Sequence, residues 1–258
     1  MEGLDIAIAI AGGFVAGFMN TLAGFGSVIT LGIMMEVLGM PANMANGTNR
    51  VNILTSASMG SIVFHKSGFL DISKSRTAIL TIFIGAIAGV FLAINVSNEF
   101  FKQVFNYILI LILIILLTNP KRFISAREDA ENYSLFILIP VYFLLGIYAG
   151  FIQMGMGVVF LIVMVMMANY QLMHANALKV FIVFLYTTVV LLIFHLNGFV
   201  DWKIGLTLAI GQTTGAFVAA RQGSKWKNAN LWAYRFLLFI VIIVIIRNFK
   251  LLDYILAT

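Results

Sequence analysis

Long apolar runs separated by short polar breaks fill the chain. They are too continuous for the roughly ten-residue alternating strands of a barrel, so they predict helices. In the first half the runs are residues 4–19, 27–38, 47–64, 77–96 and 101–117. In the second they are residues 135–153, 158–168, 176–194, 202–220 and 232–246. A full crossing takes about 20 residues, so runs 27–38 and 158–168 are short. Each is expected to pair with the run before it as a re-entrant hairpin or as two tilted short helices. Pro140 is expected to kink the helix it enters. Residues 118–133 form the longest polar stretch and divide the chain into an N-terminal unit 1–117, a linker, and a C-terminal unit 134–258.

The two units repeat one another. The stretch GGFVAGFMNTLAGFGS at residues 12–27 is echoed by GIYAGFIQMGMG at 146–157. Gly13, Gly17 and Asn20 answer to Gly146, Gly150 and Gln153. A two-residue deletion then brings Gly24 and Gly26 onto Gly155 and Gly157. FHKSGFLD (64–71) matches FHLNGFVD (194–201) at five of eight positions, at an offset of 130. The same offset puts Asn46 on Asn176 and Asn49 on Lys179. Gly85-x-x-x-Gly89 and Gly211-x-x-x-Gly215 also correspond, and such pairs let helix backbones approach closely, within one chain or in a homodimer. Glycine beside an amide in apolar chain marks a place where a helix opens. Gly26 and Gly157 are expected to supply positive φ or close approach there.

Composition narrows the class. The chain is 62% hydrophobic and 10% charged, with a mean hydropathy of +1.04, so it reads as an all-α integral membrane protein in contact with the lipid bilayer. The opening residues carry acids and no basic run, which argues against a cleaved signal peptide. The net charge of +6 sits mostly in short loops and does not indicate nucleic-acid binding. Loops 65–76, 118–133 and 221–228 carry three Lys or Arg each, whereas 97–101 and 196–201 carry none. With basic loops cytoplasmic, both termini lie outside, and the two five-segment repeats are inverted.

Candidate chemistry is sparse. Almost all carboxylates fall in loops or at segment ends, so a cation site or proton relay lacks its usual parts. With no cysteine, and with His65 and His195 expected near opposite faces as interfacial anchors, neither a metal nor another cofactor is indicated. Arg50 and Lys179 intrude near the start of each unit's third segment, after Asn-Gly-Thr-Asn and Asn-Ala-Leu. A cation opposes the helix dipole there, and an anion held by side chain and helix-end N–H groups would relieve it. Snorkelling to the interface is the plainer alternative. Asn20 and Gln153 either donate to an oxyanion or cap opened backbone. Thr48 and Asn49 either ligate or cap, and Gln212, Thr213 and Thr214 either line a path or join helices.

The ordered motifs resemble a known family. GGFVAGFMNTLAGFGS followed by GMPANMANGTNRV, with ANALKVFIVF, GFVDW and AIGQTTGAF in the second unit, is similar to the sulfite exporter TauE/SafE family. The resemblance covers nearly the whole chain. It implies an inner-membrane, multi-pass secondary transporter, not an enzyme, for sulfite, organosulfonates or related anions. It also implies a site at Asn20, Gly24, Gly26, Thr48, Gln153, Gly155, Gly157 and Lys179, to which the charge argument adds Asn49 and Arg50. The shortened second break, QMGMG, and the charge at Arg50 depart from the family pattern. A passive anion channel and a non-transporting membrane subunit are the competing readings. An intramembrane enzyme would need a buried nucleophile–base pair or metal cluster.

Overall fold

Termination of the helices accounts for much of the repeat. The computed structural model describes residues 3–23, 25–66, 68–117, 133–222 and 229–248. The linker therefore lies almost wholly outside the described residues, as does most of the basic loop 221–228. The first unit contains α1 (Gly3–Ala23), α2 (Gly26–Gly32, continuing as a π-helical turn Ile33–Val37), α3 (Ala42–Lys66), α4 (Arg76–Asn95) and α5 (Asn98–Leu117). The second contains α6 (Leu135–Phe151), α7 (Met156–Ile162, with a π-helical turn Val163–Met167), α8 (Leu172–Leu196), α9 (Trp202–Gln222) and α10 (Ala229–Asn248). Both π-turns end alike. Leu38 N–H bonds Ile33 O and Met40 N–H bonds Met34 O, and Ala168 and Tyr170 repeat this on Val163 and Met164. The residue between is left-handed in each case, Gly39 at φ +63° and Asn169 at φ +55°, the two residue types that tolerate it best.

The matching FHxxGFxD octapeptides are explained the same way. Gly68 and Gly198 sit at φ +73° and +76° just past α3 and α8. Asp201 Oδ1 then accepts from Ile204 N–H at 2.9 Å at the start of α9, and Asp71 Oδ1 from Lys74 N–H at 3.1 Å. The glycine ends one helix in both copies, and the aspartate helps start α9 in the second but closes the turn ahead of α4 in the first.

Glycine pairs join the two units. A Cβ at Gly13 or Gly17 would strike the backbone of Leu208 or Gln212, and one at Gly211 or Gly215 the backbone of Ile10 or Phe14. In the same way Gly85 and Gly89 meet Phe143 and Ile147, while Gly146 and Gly150 meet Ile82 and Ala86. So α1 lies parallel on α9, and α6 parallel on α4, each pair crossing from one unit to the other. The glycine motifs are thus used within the chain. Two apolar cores follow: one gathers α1, α2 and α5 with residues of α3, α9 and α10 and with Ile152, Met154 and Val158 of the second break, the other α4, α6, α7 and α8, and Tyr148 and Phe151 pack against both.

Contacts at the helix ends set directions. His174 Nδ1 meets Phe69 O at 2.9 Å and Ser75 Oγ meets Tyr170 Oη at 3.0 Å, where α8 begins. At the other end of α8, Asp201 N–H donates to Thr48 Oγ1 at 2.9 Å, near where α3 begins. Helices α3 and α8 are therefore antiparallel, and loops 68–75 and 197–201 lie at opposite ends. Because α6 runs parallel to α4 and α7 returns to the start of α4, the α6–α7 pair enters and leaves at one end. It is re-entrant. Three described helices, within Gly3–Thr21, Arg76–Asn95 and Leu172–Leu196, are long and apolar enough to cross a membrane. The 25-residue α3 is long but polar, with Asn43, Asn46, Thr48, Asn49, Arg50 and Asn52 all buried.

Two glycine substitutions test the packing. Gly17→Ala should overpack the α1–α9 contact and cost about 1–3 kcal/mol. Gly32→Ala meets only Val244 Cγ2 at 3.8 Å and should be neutral or stabilising by up to about 1 kcal/mol. Thermal unfolding in detergent reads both, and equal effects would refute the close approach.

Candidate functional site

The second break is held from across the molecule. A helix end leaves four carbonyls without intrahelical partners, and here all four of α6 are met. Tyr148 O accepts from Ile152 N–H at 3.0 Å and Gln153 N–H at 3.2 Å. Ala149 O accepts from Arg50 Nη1 at 2.8 Å and Gly150 O from Arg50 Nη2 at 3.0 Å. Phe151 O accepts from Asn46 Nδ2 at 2.7 Å. Arg50 Nη1 also bonds Gln153 Oε1, and its Cζ lies 5.7 Å from the centre of the Phe194 ring. Gln153 is left-handed at φ +59°, a strained state for glutamine that its N–H and amide bonds over-determine.

Arg50 is therefore not at a helix start. Helix α3 begins eight residues earlier, at Ala42, and α8 begins seven before Lys179. The expected conflict with a helix N-terminus is overturned at both positions, because polar first turns that the hydrophobic pattern omits are helical. Arg50 instead faces the negative C-terminal end of α6, where a cation is favoured. Its side chain is fully buried.

The first break is held locally. Asn20 Oδ1 accepts from Gly26 N–H at 3.0 Å. A Cβ at Gly26 would lie 2.7 Å from Ala16 O, so close approach, not positive φ, requires glycine there. Gly24 lies outside the described residues. Among the break glycines expected to matter, Gly155 has the left-handed backbone, at φ +70°. Gly157 has neither constraint. A Cβ there would make ordinary contact, 3.7 Å from Lys179 Cδ. From α2 to α3 and from α7 to α8 the helix bounds keep an offset of 130. That pairs Phe25 with Gly155 and Gly26 with Met156, so the deletion in the second break is three residues, not two. The breaks meet: a Cβ on Gly155 would lie 3.5 Å from Phe25 Cε1.

Between the breaks, α3 and α8 present corresponding polar residues. Asn49 Oδ1 accepts from Thr30 Oγ1 of α2 at 2.6 Å, and its Nδ2 is buried without a partner. At the matching place on α8, Lys179 Nζ donates to Asn176 Oδ1 at 2.9 Å and lies beside Gly157 of α7. Lys179 is half-buried. Thr48 is committed to the Asp201 backbone, and Gln212 Oε1 accepts from Asn52 Nδ2 at 2.5 Å as a tie between α9 and α3. His65 and His195 end α3 and α8 at opposite ends, and His195 Nδ1 accepts from Trp202 Nε1 at 3.1 Å. Among the described residues no group of His and acids could hold a metal. Asn46 was not a site candidate, although its alignment with Asn176 was the signal.

The family profile described as "Sulfite exporter TauE/SafE" matches residues 9–248. The chain is 29% identical over 220 residues to a "Probable membrane transporter protein" of Haemophilus influenzae, covering 85% of this chain and 86% of that one. It is 27% identical over 216 residues to "Probable membrane transporter protein ORF9" of a Sinorhizobium species, covering 84% and 82%. It is also 27% identical over 212 residues to "Probable membrane transporter protein YfcA" of Escherichia coli K12, covering 81% and 76%. No solved structure matches the chain.

Removing the guanidinium tests the account of α6. Arg50→Met leaves four buried acceptors short of a donor and should cost at least about 2 kcal/mol. Arg50→Lys should recover only part, because an ammonium lacks the planar fork that spans two carbonyls. Thermal unfolding without any anion measures this, and an unchanged midpoint for Arg50→Met would refute it.

Proposed function

Because the chain belongs to the sulfite exporter TauE/SafE family, we propose that it is a secondary transporter of small sulfur-containing anions such as sulfite or organosulfonates. It acts in the inner membrane, by alternating access of two inverted repeats. One observation carries the anion reading. Lys179 offers a half-buried ammonium, with three donors to give, to a neutral Asn176 oxygen, and no carboxylate pairs with it among the described residues. A charge at depth without a counter-ion is costly, and an anion supplies one. Asn49 Nδ2, at the corresponding place in the repeat but about 16 Å along α3 from the level of Lys179, is a second buried donor that awaits an acceptor. Asn20, Gly26, Thr48, Gln153 and Gly155 then shape the two breaks around the site. Gly157 leaves room beside the ammonium, and Arg50 holds one wall.

Inversion is supported by the antiparallel course of α3 and α8 and by loops 68–75 and 197–201 at opposite ends. The bodies that rock are the two cross-unit cores, since backbone-to-backbone glycine contacts inside each leave no slack. Their boundary runs along α3 and α8. A passive channel of the same fold needs no such motion.

Two experiments test this reading. Lys179→Met removes a charge-assisted hydrogen bond worth about 1.5–3 kcal/mol, so sulfite or sulfonate affinity should fall roughly ten- to hundred-fold. Unfolding without anion should barely change, and unaltered affinity would sink the site. For the motion, a Cβ at Gly60 would lie 3.9 Å from Val180 Cβ, within the roughly 3.5–4.5 Å of a disulfide. Gly60→Cys with Val180→Cys, oxidised in liposomes, should stop sulfite flux reversibly. The cysteine-free parent controls for the oxidant, and persistent flux through the locked protein would favour the channel.

A further inference from the structure

Tyr186 stands seven residues beyond Lys179 on α8, a spacing that keeps both side chains on one helix face. It is fully buried, and its hydroxyl makes no hydrogen bond of ordinary geometry, only the Thr187 hydroxyl, itself unpartnered, lying in reach. The Arg50 guanidinium and the Tyr148 phenol lie within electrostatic reach of it. Arg50, although both terminal nitrogens are engaged, keeps its Nε–H buried and unpartnered. Among the described residues no carboxylate neutralises it. Next along α3, Asn49 Nδ2 is in the same state. These groups are all able to donate; the Tyr186 hydroxyl reaches only that of Thr187, and Arg50 Nε–H and Asn49 Nδ2 have no acceptor.

An unpaired buried hydroxyl costs stability, and an uncompensated buried charge costs more. A structural role would give each donor a protein oxygen, as the carbonyls of α6 do for Arg50 Nη1 and Nη2. A water molecule would satisfy a hydroxyl yet bring no charge. An oxyanion would meet both needs, since its oxygens accept several hydrogen bonds while its charge offsets the guanidinium.

We propose that Tyr186 Oη–H and Arg50 Nε–H form a second station for the transported oxyanion, about two turns along α8 from Lys179. The assignment rests on the transporter reading above. It adds a donor that recognises an oxygen acceptor, and it gives the anion a stepwise path between α3 and α8. The ammonium of Lys179 receives the anion at one station, and the phenol and guanidinium receive it at the other.

The test uses the full chain purified in detergent, with sulfite and methanesulfonate as probes. Tyr186→Phe deletes one oxygen and keeps the ring. Affinity for the anion should fall roughly ten-fold, while the unfolding temperature without anion stays level or rises because an orphaned hydroxyl has gone. Unchanged affinity would overturn the second station and leave the Lys179 site standing. A lower unfolding temperature without anion would also overturn it, because the hydroxyl would then be serving a protein or water partner. If the parent binds neither probe, the anion reading itself fails, and the station fails with it.

Discussion

The second break can exist inside a membrane protein because one guanidinium spans the end of α6. Backbone opened at depth cannot turn to lipid for hydrogen bonds. Arg50 gives its two terminal nitrogens to Ala149 O and Gly150 O, and Asn46 serves Phe151 O. Both residues belong to α3, in the opposite unit of the chain. The cost of burying the charge is met in part by the helix dipole it faces and by the Phe194 ring. Lysine could not take this place, since the task is planar and two-pronged. The polar composition of α3 follows. The first half of that helix is enclosed by others, and its amides and hydroxyls tie α2, α6, α9 and the loop at Asp201 together.

Glycine does the complementary work. Each unit's first helix packs on the other unit's fourth through backbone contacts, so a unit of sequence is not a unit of structure. The two cores are assembled across the repeat, and each contains a hairpin that carries a break. Because α1–α9 and α4–α6 are in contact at the backbone, each core is held tightly within itself. Unmet donors lie on the two helices between them, among them Asn49 Nδ2, Arg50 Nε and the Lys179 ammonium.

Much of the fold was legible because lipid imposes it. Apolar run lengths located the helices, and the repeated FHxxGFxD octapeptide located two helix ends, though not that its glycine ends a helix and its aspartate closes a turn or starts the next helix. The first turns of α3 and α8 were missed, since Asn43, Asn46 and His174 break the hydrophobic pattern while still lying in helix. That error moved Arg50 and Lys179 onto helix starts they do not occupy. The pairing of glycine motifs across the units was not readable, because spacing tells that a backbone is approached and not by what. Gln153 was recognised as an amide at a break, but its left-handed backbone depends on Arg50, 103 residues away in sequence.

The two intruding cations show how a duplicated frame can divide its labour. Offset by 130, Arg50 corresponds to Val180 and Lys179 to Asn49, so each unit supplies one cation from adjacent positions on its central helix. One residue of difference on a helix turns a side chain by about 100°. That turn sends Arg50 toward the end of α6, where protein carbonyls occupy it. It leaves Lys179 beside Gly157, at a break where the neighbouring residue takes up almost no room. The valine and asparagine that stand opposite add no third charge. A single ammonium with spare donors is thus left on α8, while the guanidinium fork on α3 is already engaged at the end of α6.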